Sequence, residues 1–420
     1  MYQRIMVAAL AQLALATGMQ AQQQFTIDIY NPAPFERTDI PVCIALEGTE
    51  RSATWASVFI DGKETAAQLD DLDADGMADE LCFVCNMEKR QTLQANVTLF
   101  NSDANANFQQ PERETTARTY AEIVLRNPAV KEKNQHNIYL DAITVNRRTA
   151  NPYNVLHHHG VAFESELIGM RIYLDKRQTI DLYGKFQKQL ELEQTQFYTS
   201  HEQKQQGFGD DVLWVGNSFG LGALRGWNGR RPTMIDPVER RTQRILAKGP
   251  VRTIVEVKDE QWVVEGEQQP IDMTLRYTLY AGHRDVKVEA MFNKDISNRR
   301  LATGMVDVKG SQEFSDHHGL RACWGTDWPA SDTINWKRET VGLAILIPEE
   351  HIESELPRDG ENYTFVVKTA TNNTLHYRIA FASDNESFGM HTEKEWFSWV
   401  KAWRKEVEQP VKITVRGRNR

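Results

Sequence analysis

The chain has 420 residues, 40% hydrophobic and 25% charged, which is enough apolar material for substantial cores and is not the composition of a disordered protein. Its formal net charge of −9 and the lack of a long Lys/Arg run exclude a general nucleic-acid partner, because phosphates need a basic footprint. Small, neutral or locally recognised ligands fit better.

At the N-terminus, Arg4 precedes a mostly apolar run from Ile5 to Ala16, and Thr17 to Gln24 are largely small or polar, with Ala21 at a cleavage position. Residues 1–21 therefore read as a secretory signal peptide, and the mature chain is expected to be secreted or periplasmic. No later run reaches the roughly 18 consecutive apolar residues of a membrane span. Short apolar runs then follow, Phe25–Ile29, Val42–Leu46, Ala56–Ile60 and Ala95–Leu99, broken by turns such as Asp61-Gly62. They predict a small β-sandwich domain over 22–105.

Cys43, Cys82, Cys85 and Cys323 are too few for a disulfide framework. Residues three apart on a strand face opposite ways, so Cys82 and Cys85 would not converge on a metal; structural use, with Cys43 bridging one of them, is the expectation. Between them and Cys43 lies an acidic loop in which Asp71, Asp73, Asp75 and Asp79 surround Gly76. Ca²⁺ takes about six to eight oxygens, and the spacing resembles the short calcium loops of dockerin-like or thrombospondin-like repeats. The same residues suit an acidic hairpin turn closed by Asx hydrogen bonds. The cofactor expectation is therefore either none or a structural calcium ion.

Residues 106–118 are polar and predict a linker. From 119 to 420 strand-like segments dominate: Ile168–Leu174, Thr179–Tyr183, Val251–Val257, Met273–Tyr280, Val286–Phe292, Val341–Ile347, Tyr363–Val367 and Leu375–Phe381. They predict a mainly β fold, with a large antiparallel sandwich as the second domain rather than alternating βαβ units. One amphipathic helix stands out near the C-terminus. Thr392 and Glu395 form a capping-box pair, and Trp396, Trp399, Val400, Trp403 and Val407 recur at helical spacing. These tryptophans read as core rather than as a sugar platform.

Chemistry concentrates between Leu156 and Glu166, which holds His157, His158, His159, Glu164 and Glu166. On one uninterrupted strand His158 shares a face with Glu164 and Glu166, whereas His157 and His159 face away, spaced as metal ligands on a strand. His158 beside Glu164 would move protons near neutral pH; histidines hydrogen-bonded at a sheet edge are the plain alternative. Next, Arg171 and Tyr173 alternate with Ile172, and Asp181, Tyr183 and Lys185 alternate with Leu182. This pattern predicts neighbouring strands with one apolar face and one polar, concave face. Arg171 is placed to clamp a carboxylate. Three more clusters are candidates for substrate binding: Asp210, Asp211 and Trp214; Arg225 and Trp227; and His317, His318, Arg321 and Trp324, with Trp328 nearby. Aromatic faces stack on sugar rings while polar neighbours fix hydroxyls. His317 and His318 are also candidates to join His157 and His159 at a transition metal.

Gly249-Pro250-Val251-Arg252-Thr253-Ile254-Val255 and Leu275-Arg276-Tyr277-Thr278-Leu279-Tyr280-Ala281-Gly282-His283-Arg284, with His158-His159-Gly160 and Asp70-Asp71-Leu72-Asp73 upstream, resemble an uncharacterised family of secreted Bacteroidota proteins. The resemblance covers nearly the whole mature chain. It implies a two-domain β-structure whose larger part is similar to the galactose-mutarotase supersandwich, found beside enzymes that degrade pectin and other uronic-acid polysaccharides. It carries no catalytic motif.

The expected function is accordingly a polysaccharide lyase, or a related carbohydrate-active enzyme, acting on a uronic-acid glycan. β-Elimination needs a cation at the uronate, a base and an acid, roles for Arg171, for His158 or His159, and for Tyr173 or Tyr183. A glycoside hydrolase would instead pair Glu164 with Asp210 or Asp211. A sugar epimerase would use the same His and Glu as acid and base, and a non-catalytic glycan-binding protein would need only the aromatic loops. The expected partner is an oligo- or polysaccharide.

Overall fold

The computed structural model describes residues 20–101, 117–126, 137–330, 333–334, 336–370 and 373–418. Residues 1–19 of the expected signal peptide and 106–116 of the expected linker lie outside the described residues. The chain divides into two compact units, one built from the N-terminal segment through Thr116 together with Val411–Arg420, the other from Ala117–Pro410.

The first unit is a two-sheet sandwich. Strands Lys412–Arg416, Gln20–Tyr30, Thr92–Asn101, Trp55–Ile60 and Lys63–Thr65 form one sheet in that order, and Arg37–Ala45, Glu80–Met87 and Ala67–Asp70 form the other. Alternation sends Ile27, Ile29, Val97 and Leu99 inward from the first sheet to meet Val42, Ile44, Leu81 and Phe83 from the second. The sequence places the C-terminal residues in the large domain, but Lys412–Arg416 pairs with Gln20–Tyr30, from Thr26 opposite Arg416 to Tyr30 opposite Lys412. Ile413 and Val415 alternate with polar residues and pack on this core, so a half-apolar strand finds a free sheet edge here. Cys43 and Cys82 are cross-strand partners with their sulfurs 2.7 Å apart, while Cys85 enters the core on the opposite face.

The second unit holds a nine-stranded sheet in the order Ala142–Asn146, Arg240–Lys248, Arg252–Trp262, Ile271–Tyr280, Asp285–Phe292, Thr374–Ser383, Glu339–Leu346, Leu320–Asp327 and Gln312–Ser315. Its ladders are antiparallel, as expected. Two five-stranded sheets complete the sandwich. One runs Asp210–Asp211, Ile180–Gly184, Ile168–Tyr173, Gly160–Ser165 and Thr119–Glu122; the other runs Pro232–Thr233, Arg225–Trp227, Leu301–Val306, Asn362–Val367 and Ile352–Glu355. A single apolar core joins the three, with Val255, Leu275, Tyr277 and Ile379 of the large sheet meeting Phe163, Ile172 and Leu182 of one small sheet and Met305 and Phe365 of the other.

The other face of the large sheet is covered by the helix Glu393–Val407. Thr392 Oγ1 accepts from the Glu395 amide at 3.2 Å and the Glu395 carboxylate accepts from the Thr392 amide at 3.1 Å, which closes the expected capping box. Trp396, Val400 and Trp403 pack on Ala322, Trp324, Ala344 and Ala382. Among the described residues no helix is long and apolar enough to cross a membrane.

Candidate functional site

The histidine segment is not one strand. Pro152–Asn154 is a 3-10 turn, His159 adopts φ +70°, and the strand begins only at Gly160. A Cβ at Gly160 would lie 1.6 Å from the Ile172 carbonyl oxygen, so the neighbouring strand admits only glycine there. The break cancels the strand-parity division of the three histidines. His158 is buried with Nε2 3.1 Å from Glu122 Oε1, a partner contributed by another strand, rather than beside Glu164. His159 lies near Arg171, its Nδ1 donating to the Tyr153 carbonyl at 2.9 Å and its Nε2 accepting from the Tyr198 hydroxyl at 2.9 Å. Both nitrogens are engaged, which leaves none for a metal shared with half-buried His157. Burial and then the charge of Arg171 push His159 down to about 4, so its imidazole is neutral at pH 7.

The expected alternation of Arg171, Tyr173, Asp181 and Tyr183 against Ile172, Ile180 and Leu182 is present, but the polar face is closed rather than concave. Leu192 and Phe197 lie over it, against Tyr183 and Ala162. Arg171 is buried, giving Nε and Nη2 to Asp181 at 3.0 and 2.6 Å, Nη2 to Asp211 at 3.1 Å and Nη1 to the Tyr198 hydroxyl at 3.0 Å, with the Phe197 ring 4.0 Å away. A guanidinium held by two carboxylates is not placed to clamp a third. Tyr173 donates to Asp181 at 2.7 Å and Tyr183 to Glu191 at 2.8 Å; burial, then the charge of those acids, pushes both phenols far above their ordinary range. Glu164 pairs with buried Lys185 and accepts from the Glu191 and Leu192 amides at 2.9 and 2.8 Å, which anchors the covering segment. Glu164 is thus separated in role from Asp210 and Asp211.

The remaining candidates scatter. Buried Arg225 donates to the carbonyls of Arg177, Asn217 and Ser218 and so braces a loop; Trp227 packs against the core. Arg321 is buried against Glu313 and two backbone carbonyls, and Trp324 lies under the helix. Exposed His317 and His318 reach Glu355 and Glu349 at 3.4 and 2.8 Å, and among the described residues they form no metal-holding group with His157 and His159. In the acidic loop, Asp71 accepts from the amides of Ala74, Asp75 and Gly76 at 2.7, 3.2 and 2.7 Å, the Asx turn considered above. Asp71, Asp73 and Asp79 also bring oxygens within 4.8 Å of one another, and Arg51 lies beside the loop, 2.7 Å from Asp79 and 2.9 Å from Asp75.

An open groove of about 530 Å³ lies elsewhere on the second unit, lined by Trp214, Lys309, Asp327, Trp328, Glu339 and Arg358 among others. Trp214 is 53% exposed, unusual for a ring of this size, and Trp328 is half-buried. Asp327 and Glu339 are directly opposed on adjacent strands, so their side chains leave the sheet on the same face. Burial pushes the Glu339 carboxyl up, partly offset by a hydrogen bond from Asn385, and the charge of Asp210 adds to the rise. The two-residue strand Asp210–Asp211 thus splits its acids: Asp211 turns to Arg171, and Asp210 turns to Lys204 and the neighbourhood of Glu339. Of the candidates read from sequence, Asp210, Trp214 and Trp328 reach this neighbourhood. Asp327 carried a local signal as an acid beside an aromatic at a strand end; Glu339 carried none, since only strand register brings it there.

A second pocket of about 510 Å³ is lined by Arg147, Tyr153, Asp175, Lys176, Arg177 and Arg241, and it shares Asn217 with the groove. The Tyr153 ring stacks on His159 at 3.7 Å, and Arg177 lies 4.8 Å from the same ring.

No curated protein matches the sequence. Among solved structures, a glycosyl hydrolase family 38 protein from Enterococcus faecalis is 12% identical over 95% of this chain and 48% of its own, with a TM-score of 0.46. An alpha-mannosidase from Enterococcus faecalis V583 is likewise 12% identical, over 95% of this chain and 47% of its own, with a TM-score of 0.43. The chain spans about half the length of these structures. The family model described as domain of unknown function DUF4861 matches residues 29–413, and the chain belongs to that family.

Proposed function

We propose that this is a carbohydrate-active enzyme that takes a glycan in the Trp214–Trp328 groove and cleaves it with Glu339 as general acid and Asp327 as its carboxylate partner. The observation that carries the reading is the conjunction of two accessible tryptophans with two opposed carboxylates in one open groove. Indole faces stack on sugar rings, and of two carboxyl groups beside a glycosidic bond one can protonate the leaving oxygen while the other assists at the sugar carbon. Asp307, Asp327, Glu339 and Glu361 outnumber Lys309 and Arg358 along the groove, which favours a neutral glycan over a polyuronate.

A second reading, β-elimination on an acidic glycan such as pectin, is favoured by the adjoining pocket, where Arg147, Lys176, Arg177 and Arg241 outnumber Asp175 and Asp236. Either reading is consistent with export directed by residues 1–21, which N-terminal sequencing of the secreted protein would check.

The two are separated by incubating the purified protein with neutral and acidic oligosaccharides while following reducing ends and the ultraviolet absorbance of unsaturated uronates. Glu339→Gln is expected to lower reducing-end release by about 10²- to 10⁴-fold with binding retained, and Trp214→Ala to weaken binding. Release that is indifferent to Glu339→Gln rejects the first reading. Unsaturated product lost in Arg177→Ala supports the second, and binding without any product leaves a glycan-binding protein.

A further inference from the structure

Away from both cavities, Glu350, His351 and His376 bring one ligand atom each within 4.8 Å of one another. We propose that these three residues bind a late first-row divalent cation of the zinc class. Glu350 and His351 belong to the 3-10 turn Glu349–His351, and His376 to the strand Thr374–Ser383 of the nine-stranded sheet. His351 is fully buried, with Nδ1 3.2 Å from the Lys368 carbonyl oxygen. That acceptor assigns the ring hydrogen to Nδ1 and leaves the Nε2 lone pair for another partner. A carbonyl behind the ring is also how metal-binding imidazoles are commonly oriented and their tautomer set.

The other partner is His376 Nδ1, 3.1 Å from His351 Nε2, with the two rings at 89°. Two metal–nitrogen bonds of about 2.05 Å that close on this separation enclose roughly 98°, between the octahedral and tetrahedral angles. Glu350 and His376 are exposed, so a cation can enter from solvent and keep water in its remaining positions. Two imidazoles with one carboxylate select zinc, cobalt or nickel over calcium and magnesium, which prefer oxygen alone. A bare hydrogen bond from His376 to His351 would use the same two nitrogens, and the experiment must separate the two arrangements.

The full chain, stripped by chelator dialysis, is titrated with Co²⁺ and read by its visible d–d absorption, with Zn²⁺ added in competition. The expected result is a single equivalent of Co²⁺ bound in the micromolar range and displaced by Zn²⁺. His376→Ala and Glu350→Gln should each weaken binding at least about tenfold, a loss typical of disturbed metal sites. Both side chains are exposed, and matching thermal unfolding curves would verify that the variants fold. His318→Ala, whose ring contacts the adjacent Glu349, should bind as the wild type does. Cobalt affinity unchanged in His376→Ala, or no cobalt signal at millimolar concentration, overturns the proposal and leaves the histidine pair as a hydrogen bond.

Discussion

A guanidinium buried against two carboxylates is stable only while every partner stays in place, because a charge left behind in a dry interior has nothing to solvate it. Arg171, Asp181 and Asp211 form such a group. Arg171→Met is therefore expected to destabilise the second unit by about 3–5 kcal/mol, read by denaturant unfolding. His159, one hydroxyl away, makes a pH-dependent contribution. Its folded value of about 4 lies below the ordinary 6.5, so between those values the unfolded chain binds the extra proton. Stability present above pH 6.5 should be lost progressively as pH falls toward 4, and His159→Gln should flatten that part of the profile. Both residues were legible as a polar pattern in the sequence. What they face was not, because strand parity assigns a face to a side chain and says nothing about what covers that face.

Between elements, the C-terminal helix meets the large sheet in a close fit. A Cβ at Gly342 would lie 2.6 Å from the Trp396 ring and 2.8 Å from the Trp324 ring. Gly342→Ala is expected to cost about 1–3 kcal/mol by overpacking, measured as a lowered thermal midpoint, with the helix partly lifted from its seat. The helix itself could be read closely from sequence, since its cap and its apolar stripe are local signals spaced three and four residues apart. The broken strand before Gly160 was less readable. His159 at φ +70° is in a conformation that non-glycine residues adopt uncommonly, and Tyr153, Tyr173 and Tyr198 pack around its ring there.

At the scale of the whole molecule, the strands Gln20–Tyr30 and Lys412–Arg416, far apart in sequence, pair in the same unit. Removing residues 411–420 should expose the edge of the strand Gln20–Tyr30, and hydrogen exchange should quicken at Thr26–Tyr30 while the amides of Ile271–Tyr280 in the second unit keep their protection. Local patterns by themselves determined the mainly β character, through alternating apolar residues, and the capped helix, through its cap and its three-and-four spacing, because each depends on neighbours within one element. Tertiary structure alone decided that Arg171 and Tyr183 are sealed, that Asp327 faces Glu339, and that His351 meets His376. Those outcomes depend on strand register and on covering segments, which join residues far apart in the chain and leave no periodic trace in it.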